Sequence, residues 1–155
     1  TTVHLLKYPV AKFSGDGICS KGHSSMVNSV DVSLDILHPL VASGSFDGTV
    51  GLWRPSKRES PYVLSSTGKE IRAVRFGYMD KLLCVASGNA INFNVFFTDD
   101  GGGDLDRKRN LSKVSVVTNY STQAQQVTAM ENYNNFLSTI VLWTGSNKQV
   151  GVYDF

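Results

Sequence analysis

Only two cysteines, Cys19 and Cys84, stand in 155 residues, and they lie far apart. A disulfide framework needs more, so the expected setting is reducing and intracellular, cytoplasmic or nuclear. Neither sign of charge dominates: 15 Lys and Arg face 13 Asp and Glu, for a net charge of +2. That balance gives no compositional case for nucleic acid or an acidic membrane as the partner. No apolar run approaches the roughly 18 residues of a membrane span. The start, Thr1-Thr2-Val3-His4, shows neither a signal peptide nor an initiator methionine, so a processed chain or one cut from a longer protein is expected. Helical periodicity is nearly absent.

What is present is a series of short runs rich in Val, Ile, Leu, Phe and Tyr, separated by Gly, Ser, Asn and Asp. Short strands at regular spacing with turn signals between them indicate an all-β fold. Met26 to Val32 alternates, placing Met26, Asn28, Val30 and Val32 on one face. Leu40 to Ser45 follows, then Phe46-Asp47-Gly48, then Thr49 to Trp53. Asp-Gly between two β-prone runs marks a hairpin, because both residues tolerate positive φ. Pro55 ends the returning strand, and Tyr62 to Leu64 reads as a fourth, outer strand.

The pattern recurs. Ile71 to Phe76 matches the Met26 strand, Leu82 to Ser87 matches Leu40 to Ser45, and Ala90 to Phe97 matches the returning strand. A third pass runs through Gln126 to Met130, Phe136 to Ser146, and Val150 to Asp154. The end aromatics Trp53, Phe96 and Tyr153 are 43 and 57 residues apart. The first interval suits one four-stranded unit of about 40–45 residues, and the second carries an insertion, Thr98 to Asn110.

The first full unit resembles the WD-repeat β-propeller family. It opens on Gly22-His23, continues through Val41-Ala42-Ser43-Gly44-Ser45 and Asp47, and ends on Trp53. The resemblance implies a hydrogen-bonded tetrad of His23, Ser43, Asp47 and Trp53, with Ser45 the alternative to Ser43 on the same face. Tryptophan supplies an apolar body and one donor, histidine bridges with two distinct nitrogens, and aspartate accepts. A relay buried between sheets is satisfied internally, so these residues read as structural rather than catalytic.

The later units depart from the pattern. Gly68-Lys69 stands where Gly-His is expected, and Gly88-Asn89 where the turn aspartate is expected. The third unit has no Gly-His; its turn Asn147-Lys148-Gln149 reads as one residue shorter, with Lys148 at the aspartate's place, and it ends on Tyr153-Asp154. The expected architecture is therefore a propeller of four-stranded antiparallel blades, with about three blades' worth in this chain. Residues 1–21 form an outer strand and linker, 22–64 a blade, 65–117 a blade with inserted loop 98–110, and 118–155 three strands of a blade. Val3 to Tyr8 is the strand expected to complete the last blade. Closed propellers need about four to eight blades, so the chain reads as a segment of a larger propeller, or one completed by other copies or a partner.

Sites for chemistry are few. Cys19, His23 and His38 lack the further ligands of a zinc site, and Cys84 reads as a small buried hydrophobe. Asp99 to Asp106 lacks the ligand order of a helix-loop-helix calcium site, and its glycines do not continue into a phosphate-binding pattern. Asn110-Leu111-Ser112 and Asn119-Tyr120-Ser121 match the glycosylation acceptor pattern by chance. No cofactor and no metal is expected. Trp143 belongs to the core.

The function implied is a non-catalytic scaffold for protein–protein interaction within a multi-subunit assembly. Candidate protein-binding residues are Phe46 at the hairpin tip, or else packed on the neighbouring blade, and Tyr78, Met79 and Tyr133 in the opposite turns. One alternative is a peptide-recognition module at the propeller channel. Another is an RNA-associated propeller in a ribonucleoprotein, resting on Lys57, Arg58, Arg72, Arg75, Arg107, Lys108 and Arg109.

Overall fold

The computed structural model describes residues 2–5, 18–36, 39–55, 62–64, 68–95, 115–135 and 138–154. Among these there are strands and turns and no helix. β1 (Thr2–Leu5) pairs antiparallel with β2 (Ile18–Lys21). The first four-stranded sheet follows as β3 (Val27–Val32), β4 (Val41–Ser45), β5 (Val50–Trp53) and β6 (Tyr62–Leu64). The second is β7 (Ile71–Gly77), β8 (Leu82–Ser87), β9 (Ala90–Val95) and β10 (Ser115–Ser121). The third has three strands, β11 (Val127–Asn132), β12 (Ile140–Gly145) and β13 (Val150–Asp154). Each sheet is an antiparallel meander in chain order, as short connections between neighbouring strands dictate.

Three expectations change. The N-terminal strand does not complete the last sheet; it pairs with β2, a strand of four residues that the pattern Ile18-Cys19-Ser20-Lys21 did not announce. β10 belongs to the second sheet through its pairing with β9, so that sheet runs to Ser121 rather than stopping at 117. The third turn is not shortened. Gly145 N–H to Gln149 O and Lys148 N–H to Gly145 O repeat Ser45 to Thr49 and Gly48 to Ser45. Asn147 therefore holds the place of Asp47, and Lys148 that of Gly48, with φ of 64° against 82°. Phe96 and the 98–110 insertion lie outside the described residues.

Inner strands β3, β7 and β11 lie side by side, and each carries a bulge at its second residue: Asn28, Arg72 and Thr128. Two apolar layers fill the gaps between sheets. Leu40, Ala42, Val50 and Leu52 pack against Ile71, Val74, Phe76, Leu83 and Val85. On the far side of the second sheet, Ala73, Cys84, Ala86, Ile91 and Phe93 pack against Val127, Met130, Val141 and Trp143. The second sheet is apolar on both faces because both are covered, which is why β8 reads as an unbroken buried run. Burial pushes the Cys84 thiol up to about 12, with the Asp31 carboxylate adding to the effect. It is therefore a packed side chain and not a nucleophile.

Candidate functional site

The structure brings His23, Ser43, Asp47 and Trp53 together, with one residue added. Trp53 Nε1 donates to Ser43 Oγ at 2.7 Å, and Ser43 Oγ lies 2.7 Å from His23 Nε2. On the other side, His23 Nδ1 is 2.9 Å from Thr49 Oγ1, closer than the 3.5 Å to Asp47 Oδ2. Thr49 Oγ1 donates to Asp47 Oδ1 at 2.5 Å. Thr49 has a single hydroxyl proton, and the carboxylate takes it. His23 Nδ1 must then carry the proton on that side, and Nε2 accepts from Ser43. The relay runs in one direction, from indole through serine, histidine and threonine to carboxylate. Ser45 stands outside it, its Oγ accepting the Asp47 N–H at 3.2 Å in the turn.

Electrostatics agree with that assignment. Burial pulls the His23 pKa below its ordinary 6.5, and Asp47 only partly offsets it, so the imidazole is neutral. Burial pulls the Asp47 carboxyl upward, but hydrogen bonds from the Thr49 hydroxyl and N–H and the Ser24 N–H outweigh it. The net effect holds Asp47 well below the usual carboxylate range. Gly51 leaves room for the relay: a Cβ there would sit 2.9 Å from Ser43 Oγ and 3.1 Å from Trp53 Nε1.

Phe46 packs on the neighbouring sheet. The Arg72 guanidinium lies 4.8 Å from its ring centroid, a cation–π contact. Arg72 also pairs with Glu70 at 2.5 Å. The Gln126 carboxamide oxygen, turned toward the guanidinium, accepts from Nε and Nη2 at 2.9 Å each. One side chain of the second sheet thus ties the hairpin tip of the first to the start of the third. Beside it, Phe46, Lys69, Glu70, Gln125 and Gln126 line an open cavity of about 440 Å³.

At the opposite rim, Asp80 plays a comparable part that the sequence did not signal. It is 4% exposed. Its carboxylate accepts from the N–H groups of Leu34 (2.9 Å) and Asp35 (3.2 Å) and from Asn134 Nδ2 (2.6 Å). Asn134 Oδ1 accepts the Asp80 N–H in return at 3.1 Å. Tyr78, Met79 and Asp80 all have positive φ, 47°, 53° and 61°, a conformation that costs about 1–2 kcal/mol per residue for non-glycines. The carboxylate's bonds to two neighbouring turns hold it there. Around this clamp Leu34, Ile36, Tyr78, Met79 and Tyr133 stand exposed, Ile36 at 92% and Tyr133 at 73%.

Residues 11–54 match the family model described as WD domain, G-beta repeat. The chain carries a WD repeat. The matched WD repeat takes in β2 to β5, so the repeat is offset by one strand from the sheet β3 to β6. The all-β architecture of antiparallel sheets agrees with propeller blades. WD repeats generally mediate protein–protein interaction and are generally non-catalytic modules. The second and third sheets repeat its strand order without its relay: Val85 and Trp143 take the place of Ser43, and Asn94 and Tyr153 that of Trp53. Of the other residues singled out in the sequence, His38, Lys57, Arg58, Asp99 to Asp106, and Arg107 to Arg109 lie outside the described residues, as does the Cys19 side chain.

Proposed function

We propose that this chain is a section of a WD-repeat propeller scaffold, non-catalytic and intracellular, whose rim turns hold protein partners of a multi-subunit assembly. The observation that carries this reading is the rim itself. Tyr78, Met79 and Tyr133 are exposed apolar side chains from successive sheets, carried on turns that the Asp80–Asn134 hydrogen bonds hold together. Exposed aromatic and methionine side chains suit protein interfaces, where these residue types are enriched, and turns already held in place lose little backbone entropy on docking. The test isolates the full chain with its bound proteins from cells, beside a Met79→Ala/Tyr133→Ala variant of equal melting temperature. Loss of the same partners from the variant supports the reading; full retention overturns it.

The cavity beside Phe46 favours a second reading, a peptide site where three sheets meet. Phe46→Ala separates the two, because it removes a cavity wall and leaves the opposite rim intact. Of the seven basic residues behind the RNA reading, Arg72 and Arg75 lie among the described residues, and both are engaged within the chain. Arg72 is held by Glu70 and Gln126, and Arg75 donates to Glu131 and Ser29. Binding to RNA that weakens steeply with salt would support that reading, and absent or salt-insensitive binding would remove it.

A further inference from the structure

Three turns meet at the rim opposite the relay, and one carboxylate gathers them. Asp80, between β7 and β8, accepts from the N–H groups of Leu34 and Asp35, after β3, and from Asn134 Nδ2, after β11. The turns that carry Leu34, Ile36, Tyr78, Met79 and Tyr133 are thereby drawn together, and all five side chains are open to water. One cation stands among them. The Lys81 N–H donates to the Tyr78 carbonyl at 3.2 Å and folds the turn back on itself. The Lys81 ammonium then lies 5.6 Å from the Tyr78 ring centroid, within cation–π reach.

That ammonium has no carboxylate partner among the described residues. Asp80 is next in sequence, but it is buried and its acceptor capacity is spent. Its Oδ1 accepts from Leu34 N–H at 2.9 Å and Asn134 Nδ2 at 2.6 Å, and its Oδ2 accepts from Leu34 N–H at 2.9 Å and Asp35 N–H at 3.2 Å. Asp35 is less exposed than Leu34 and Ile36 beside it, and it is engaged elsewhere. A partner that covers Tyr78 also covers the ammonium held over its ring. Taking a charge out of water without a counter-charge is costly, and a well-placed carboxylate offsets that cost. The rim does not supply one, so the partner must.

We propose that this rim takes a segment of a partner protein in which an Asp or Glu stands among apolar residues. Its carboxylate pairs with Lys81 over the Tyr78 ring, and its apolar side chains cover Leu34, Met79 and Tyr133. The proposal rests on the scaffold reading above and deepens it by naming the chemistry of the partner. Charge complementarity of this kind selects among apolar partners, because a like charge at the same place is repelled. A protein segment suits the rim better than an anionic bilayer. Bilayers are held by clusters of about four to eight basic residues, and the described residues of these three turns include only Lys81.

The test selects binders from a random-peptide display library on the immobilised full chain, with counter-selection on a Met79→Ala/Tyr133→Ala variant of equal melting temperature. The rim-dependent peptides are expected to carry Asp or Glu between apolar residues. Made synthetically and titrated by fluorescence polarisation, they should bind Lys81→Glu roughly tenfold or more weakly than the parent chain, and Lys81→Arg within about threefold. Lys81 is exposed, so these variants leave the fold intact. Exchanging the acidic residue of the peptide for Lys should reverse the preference, favouring Lys81→Glu. Rim-dependent peptides that lack an acidic residue, or that bind Lys81→Glu as well as the parent, overturn the proposal. So does a selection that yields no rim-dependent peptide. Co-sedimentation with phosphatidylserine vesicles that is lost in Lys81→Glu also overturns it and makes the occupant an anionic lipid surface. The scaffold reading fails by a different sign, full recovery of cellular partners by the rim variant, whatever the peptides carry.

Discussion

Ser43 and Trp143 occupy the same register position of two different sheets, each opposite a glycine of the next strand, Gly51 and Gly151. In the first sheet the small residue admits a relay. In the third the indole fills that space itself, and its Nε1 is buried with no partner among the described residues.

Conservative replacement should therefore act differently at the two tryptophans. Trp53→Phe removes a donor from a satisfied network and should cost about 1–3 kcal/mol. Trp143→Phe removes a buried donor that has no acceptor, which offsets the lost ring volume, so a change within about 1 kcal/mol is expected. Chemical denaturation of both variants checks this; equal losses would show that the Trp143 donor is satisfied.

Thr49 carries the proton that the Asp47 carboxylate accepts. Thr49→Val keeps the shape and the β-branch but leaves His23 Nδ1 and Asp47 without their bridge, for an expected loss of about 1–3 kcal/mol. Thr49→Ser keeps the hydroxyl and should recover most of it. If valine and serine melt alike, Asp47 bonds His23 directly.

Stability should fall in acid partly through His23. Its folded pKa lies below the ordinary 6.5, so the unfolded chain binds the extra proton first. The stabilisation is present above 6.5 and is lost as pH falls from there toward the folded value. Asp47, depressed below 3.8, adds a second loss at lower pH in the same direction. Replacing His23 by Gln should flatten the melting-temperature slope between about pH 7.5 and about pH 5.5. An unchanged slope would assign it to other groups.

The strained turn gives a prediction of opposite sign. Met79 is at φ 53° and half exposed. Met79→Gly relieves the left-handed penalty and should raise stability by about 1 kcal/mol. Asp80→Ala strips two N–H groups and the Asn134 amide of their acceptor and should cost roughly 2–3 kcal/mol. Destabilisation by Met79→Gly would mean that the side chain packs more than its exposure indicates.

The first sheet was legible because its turn and its relay use residues with few other uses: Gly22-His23, Asp47-Gly48 and Trp53. Thr49 was not, since a threonine opening a strand reads as an ordinary β-former. Its signal was a hydroxyl two residues after the turn aspartate. Asp80 was hidden for a related reason: an aspartate between Met79 and Lys81 reads as a turn residue, and its partners come from segments 46 and 54 residues away in sequence. The third turn was misaligned because Lys148 stands in a left-handed position where glycine was expected. Val50-Gly51 and Val150-Gly151 carried the true register. Phe46 left two readings open, and Arg72, a bulge residue of the next sheet, decided for packing.

The one-sided placement of the relay sets an order of opening. The first sheet has five side chains locked in a single run of hydrogen bonds, whereas the third has an orphaned indole donor and strand residues open to water. Unzipping should begin at β13 and travel back toward β4, so the amides of Ser43 and Leu52 exchange with solvent last.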